Sequence, residues 1–291
     1  MVYFRLLAAI LALAIVAYPL QKKKREKKEK EEITQVLEAL PDPPAAVVAE
    51  TKRLVFHVTP LSSKGLLSQQ VRDGLRSLLR QVEGARVAKI RAFVAGSGDL
   101  RRVGSIVSEE FSERRLALPA LTVVQVGGLP MEGGQVVLES MAVAKKDVNP
   151  HGVAFISGQQ VTSEQPMAQV APLAAKSLAD VKTALRGTGL DSAGVMRVTC
   201  LMSSLEDVTA VRGLVSREFP GAAANFVQLQ RAAIQGVVEC EAVARLRQPV
   251  AEPLRLVNPA GLASSPNYSQ VALVTAPRVA LTGIQIAFGY Q

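Results

Sequence analysis

The chain has 291 residues, 48% hydrophobic and 20% charged, which is enough for two modest domains with real cores and excludes a disordered polymer. Aromatic residues make up only 4% and tryptophan is absent, which argues against a stacking surface for single-stranded nucleic acid. The net charge of +9 is uneven: residues 1–32 contribute +4, leaving a body that is only mildly basic and a weak candidate for nucleic-acid binding.

The first element is an uncharged apolar run, Leu6–Leu20, extended by Val2–Phe4 beyond Arg5. With snorkelling of Arg5 and the following lysines it suffices as a single membrane-spanning helix, and Tyr3, Phe4 and Tyr18 sit where interfacial aromatics belong. The heavy charge follows the apolar run in "QKKKREKKEKEE", the reverse of a cleavable signal peptide. Residues 1–20 are therefore expected to be a single-pass anchor in the inner (plasma) membrane, with the soluble body on the cytoplasmic side. Residues 21–44 read as a charged helical linker that "PDPP" stops.

The body repeats itself. Each copy opens with a β segment and a long helix: "RLVFHVTPLS" and "LLSQQVRDGLRSLLRQVEG", then "GVAFISGQQV" and "MAQVAPLAAKSLADVKTALRGTG". Gly84 and the Gly187–Gly189 pair are placed to end those helices. Arg91–Ala144 can then be set beside Arg197–Ala244: a strand, a polar turn, and an amphipathic helix closing on Glu110–Phe111 or Glu218–Phe219. Leu205, Val208, Val211 and Val215 form the buried stripe of the second such helix. A further strand follows ("LTVVQV", "NFVQLQ"), then one with the pattern Glu-x-apolar-Ala, Glu139–Ala142 and Glu241–Ala244. Each copy thus predicts β-β-α-β-α-β-β over residues 45–147 and 148–249. Residues 250–291 form an extension in which "YSQVALVTAPRVALTGIQIAFG" predicts a hairpin turning near Ala276–Pro277, echoing "VAFISGQQV". Cys200 and Cys240 sit in apolar β-like runs and read as buried, reduced thiols. Neither they nor His57 and His151 have metal-ligand spacing, so no metal is expected.

The blocks "FISGQQV" (Phe155–Val161), "VMRVTCLMSSLEDV" (Val195–Val208) and "LPALTVVQVGGLP" (Leu118–Pro130), in this order within the repeated units, resemble the Rid (reactive intermediate deaminase, or YjgF) family. The resemblance implies an α+β fold: two tandem chorismate-mutase-like domains, each a sheet backed by two helices, here preceded by the membrane helix. It implies homo-oligomers with ligand clefts between neighbouring units and no cofactor. It also implies a chemistry, hydrolysis of enamines and imines with release of ammonia, or in some accounts RNA cleavage.

That deamination requires a guanidinium to clamp the substrate carboxylate. The matching positions here are Leu121 in the first copy and Asn225 in the second. Glu139 and Glu241 match a position that orients water, and Ser157, Gly158 and Gln159 form a strand-end motif whose glycine permits a bulge. Arg231, Arg114 and Arg115 are the cations that folding would have to bring in as substitutes. The resemblance thus predicts a membrane-tethered tandem Rid-like protein that binds a small ligand at its clefts or serves a structural role. An enamine/imine deaminase is the alternative, and an RNA-cleaving protein a lesser one.

Overall fold

A computed structural model describes residues 40–96, 99–166, 168–230 and 234–283. The predicted anchor, and the charged linker up to residue 39, lie outside the described residues; among the described residues no helix is long and apolar enough to cross a membrane. The described residues from Pro41 onward form one compact unit.

Its first half contains β1 (Ala46–Glu50), β2 (Leu54–Val58), α1 (Leu67–Gln81), β3 (Arg86–Ala95), α2 (Leu100–Glu113), β4 (Ala120–Val126) and β5 (Val136–Val143). The second half contains β6 (Val153–Pro166), α3 (Val170–Gly187), β7 (Val195–Met202), α4 (Val208–Glu218), β8 (Ala223–Gln228) and β9 (Gln235–Arg245). The extension supplies β10 (Leu254–Val257), β11 (Val271–Val274) and β12 (Arg278–Thr282).

The two halves repeat one connectivity. The first sheet runs β2-β5-β3-β4, and β6-β9-β7-β8 follows the same order within a six-stranded sheet. In each, the helix-connected pair is parallel and lies at one end of this order, and the other two pairings are antiparallel. Each half buries an apolar layer between sheet and helices: Val71, Leu75, Leu78, Ile106 and Phe111 in the first, and Leu178, Val181, Val211, Val215 and Phe219 in the second. Of the predicted stripe, Val211 and Val215 are buried on α4 and Val208 packs at its margin, whereas Leu205 lies in the turn before the helix and packs against the same core from there.

The opposite sheet faces meet each other. One apolar cluster there joins Leu54, Phe56 and Met141 to Met196, Val243 and Leu281; another joins Phe93, Val126 and Val137 to Val227. Strand alternation makes this possible, because every second side chain of a strand faces away from the helices.

Three expectations change. The predicted C-terminal hairpin does not pair with itself: β11 joins β6, while β12 crosses to pair with β1 in a separate two-stranded sheet. β12 brings Leu281 into the apolar cluster between the halves, so the extension acts as a strap over both. Second, the second half begins at β6, and β11 of the extension takes the place beside β6 that a preceding strand would fill, with β10 outside it at the edge. Third, Cys200 and Cys240 are not free thiols. They face each other across β7 and β9 with Cα atoms 4.1 Å apart and are joined as a disulfide. Register decides this, and register is a tertiary property.

Candidate functional site: an ionic seam between the two sheets

Between the two facing apolar clusters the strands carry polar residues. Glu139 on β5 is opposite Arg91 on β3, and Glu241 on β9 is opposite Thr199 on β7. The four meet Arg197 and Asn225 in a single network. Arg91 donates from Nε to Glu139 Oε2 at 2.8 Å and from Nη2 to Glu241 Oε1 at 2.6 Å and Thr199 Oγ1 at 3.2 Å. Glu139 Oε1 accepts from Thr199 Oγ1 at 2.7 Å and from Asn225 Nδ2 at 2.8 Å. Arg197 donates from Nη2 to Glu241 Oε1 at 2.9 Å. Its Nη1 stands 3.8 Å from Glu139 Oε2, within ion-pair reach but without a hydrogen bond.

Burial is uneven across the seam. The Glu139 and Arg197 side chains are 1% and 5% exposed, whereas Arg91 and Glu241 keep 21% and 29%. The open end therefore lies at Arg91 and Glu241. Burial alone pushes the Glu139 carboxyl up, but Arg197, Arg91 and the bonds from Asn225 and Thr199 outweigh it and hold it below the usual carboxylate value. For Arg197 burial prevails, and its affinity for the proton falls despite the nearby carboxylates. Two phenyl rings add contacts: the Arg91 guanidinium is 5.3 Å from the Phe93 centroid and that of Arg197 is 5.6 Å from Phe56.

The registers correct the alignment of the two copies. Both β3 and β7 carry an irregularity against their antiparallel partner, between Val87 and Lys89 and between Val195 and Arg197. With Glu139 and Glu241 in corresponding places, Lys89 corresponds to Arg197 and Arg91 to Thr199. The parallel ladders then put Thr122 in the place of Asn225. Leu121 is therefore one residue out of step with Asn225, and one residue reverses the face of a strand. Leu121 packs with the helix-side core of the first half, near Gly104 of α2, and does not reach the seam. Asn225 does.

Ser157, Gly158 and Gln159 lie away from the seam. The ladder between β6 and β9 breaks between Ile156 and Gln159, as the expected bulge requires. A β-carbon at Gly158 would collide with the Glu239 carboxylate, so glycine admits that side chain. Gln159 and Ser157 bond instead to Gln270 of the extension, at 2.8 Å and 3.1 Å between side chains. Arg231 lies outside the described residues. Arg114 pairs with Glu110 at 2.6 Å, and Arg114 and Arg115 both line a hollow on the helix side of the first sheet. Neither substitutes for the missing clamp.

Sequence reasoning thus identifies Glu139, Glu241 and Asn225 but misses Arg91, Arg197 and Thr199. The legible signal was the charge itself: Lys89, Arg91 and Arg197 are basic residues at alternate positions of otherwise apolar strands. A side chain of that kind calls for a partner when the strand is buried.

No family model matches the sequence, and no curated protein matches it. Solved structures do. A Rid-family protein of unknown function from Yersinia pestis, YyfB, is 22% identical and covers 35% of this chain and 83% of its own, with a TM-score of 0.30. The YjgF gene product of E. coli is 22% identical over 35% of this chain and 93% of its own, with a TM-score of 0.28. E. coli TdcF, solved with bound serine, is 24% identical over 35% of this chain and 84% of its own, with a TM-score of 0.28. Each likeness covers about a third of the chain.

Proposed function

We propose that this chain is a membrane-tethered tandem of two Rid-like units, residues 45–147 and 148–249, whose shared seam is a structural joint that does not perform deamination. The observation that carries the reading is the state of Glu139. Its carboxylate, 1% exposed, already takes the hydrogen bonds of Arg91, Thr199 and Asn225. The chain's own carboxylate thus satisfies the guanidinium that a substrate carboxylate would need. Displacing it would leave a buried anion unpaired, at a cost of several kcal/mol. Leu121 offers no replacement, being turned to the opposite face.

The test is ammonia release from freshly generated 2-aminoacrylate with the full-length protein. The rate is expected to equal that with an inert protein at the same concentration. Acceleration that disappears in Glu241→Gln would overturn the reading in favour of a deaminase working at the seam's open end, where Glu241 retains 29% exposure and could orient water.

The reading includes self-association. Leu254 and Leu256 are 53% and 60% exposed on β10, the outer strand of the six-stranded sheet, and edge strands of that kind pair with other chains. Light scattering that reports a monomer in detergent would remove that part.

A further inference from the structure

We propose that the first half carries a second, separate binding site, for a small amphipathic anion with an apolar body and a carboxylate or phosphate head. It lies where α1 and α2 end beside the start of β3, in a cavity of about 530 Å³. That volume is within the ~300–1,000 Å³ range of small-molecule sites. Leu79, Val87 and Phe111 supply apolar wall, and the same cavity is lined by Arg86, Arg114 and Arg115. An apolar hollow bordered by guanidiniums offers a place for a tail and forked donors for an oxyanion.

Cations also gather at helix C-termini simply to serve unpaired carbonyls and the negative end of the dipole. Here those carbonyls are mostly taken by backbone: Leu116 N–H donates to Phe111 O, Arg115 N–H to Ser112 O, Glu83 N–H to Arg80 O and Ala85 N–H to Val82 O. Arg114 does serve its helix, donating to Glu110 O at 2.8 Å. Arg86 donates to Val48 O at 3.0 Å and has Glu50 only at 3.9 Å. Among the described residues, no carboxylate lies within 4.0 Å of the Arg115 guanidinium. The Lys145 ammonium adds a further cation, 3.2 Å from where a β-carbon on the cavity-lining Gly84 would stand.

The second half serves as an internal control. Its corresponding helix, α4, ends at Glu218, and Phe219, Pro220, Gly221 and Ala222 follow with no basic residue, whereas α2 runs to Glu113 and is followed by Arg114 and Arg115. Both turns pass through the left-handed region, at Gly221 with φ 87° and at Arg115 with φ 55°. An L side chain there meets a steric penalty that glycine avoids. The fold closes this helix with glycine in one half and keeps a strained arginine at a cavity in the other, which a purely structural role does not require. The site is on the helix side of the sheet, away from the seam, so it stands or fails independently of the deamination reading.

The experiment uses the full-length protein in nanodiscs of zwitterionic lipid, titrated with octanoate, octanol and inorganic phosphate. A photoreactive diazirine octanoate followed by peptide mapping locates the ligand. Saturable octanoate binding is expected, with label on peptides covering residues 79–87 and 111–117. Binding should weaken roughly tenfold or more in Arg86→Gln/Arg115→Gly, the loss expected for two charge-assisted contacts, and octanol and phosphate should bind at least as weakly as that. Arg115→Gly suits the left-handed backbone, and because Arg86→Gln gives up the bond to Val48 O, Arg115→Gly is also titrated alone, with circular dichroism showing that each variant folds; unchanged binding in the single variant would remove Arg115 from the site. Nanodiscs containing anionic lipid separate the sources: competition with octanoate assigns the head group to a membrane lipid, and its absence to a free acid, either sustaining the site. Equal isotherms for wild type and the double variant, label elsewhere, or octanol binding as well as octanoate would overturn it.

Discussion

Glu139→Gln tests the seam directly, because it changes one charge and almost no volume. In the native protein two guanidiniums, Arg91 and Arg197, face two carboxylates, and Glu139 is the more deeply buried carboxylate. The substitution leaves two buried or half-buried cations sharing Glu241. It also turns an amide N–H₂ toward at least one donor among Arg91, Thr199 and Asn225, all of which now donate to this side chain. Removing one member of a buried ion pair costs about 3–5 kcal/mol. For a protein of this size that corresponds to a melting-temperature drop of roughly 6–20 °C. Urea denaturation of the full-length protein at neutral pH, followed by circular dichroism, measures it through the midpoint at constant slope. A loss below about 1 kcal/mol would show that Glu139 is effectively solvated, and the argument for a locked joint would fail with it.

The remaining predictions concern the same interface and its supports. Because the folded-state pKa of Glu139 is depressed, its stabilising contribution is present above the unfolded value of about 4.5 and lost as pH falls below it; midpoints measured from pH 6 to pH 3 should fall more steeply for wild type than for Glu139→Gln. Replacing the whole cluster, Arg91→Met, Glu139→Leu, Arg197→Met and Glu241→Leu together with Thr199→Val and Asn225→Leu so that no buried donor loses its acceptor, should be neutral or stabilising by about 1–4 kcal/mol, since Arg197 Nε and Nη1 have no hydrogen-bond acceptor; a large loss would mean the ions do more than fill the seam. Protein isolated without reductant should show no free thiol after denaturation, and reduction should cost about 4 kcal/mol for a bridge separated by 40 residues; two reactive thiols would refute the disulfide. Such bonds are uncommon in reducing compartments, so the same measurement on protein taken directly from cells reports whether its surroundings are oxidising or reducing. Truncation after Pro277 removes β12, the ladder partner of β1, and uncovers Ala49 and the Leu281 contacts; a loss of about 2–4 kcal/mol is expected, and an unchanged midpoint would show that the strap is dispensable.

Much of the architecture was legible in local pattern. The stripe Val211–Val215 and the repeated Glu-Phe pairs located both helices, since a helix face is set by residues three and four apart on the same segment; α4 ends at that pair, while α2 continues from Glu110–Phe111 to Glu113. The bulge at Gly158 could be read for the same reason. The seam could not. Copies aligned by matching arginines place Arg91 against Arg197, whereas the ladders place Lys89 there, an error of two residues that keeps the face and changes the partner. Aligning Leu121 with Asn225 is an error of one residue, which reverses the face and sends leucine into the helix-side core.

What the sequence determined by itself was therefore the helices and most strands of the two halves, their order and the presence of two corresponding glutamates, because propensity and periodicity act within a segment. Only the tertiary structure decided that those glutamates meet guanidiniums from both halves, that two cysteines lie opposite each other, and that the final strands go to different sheets. Pairing between strands depends on register and on faces buried against distant segments, and a shift of one or two residues, invisible to local pattern, changes every contact.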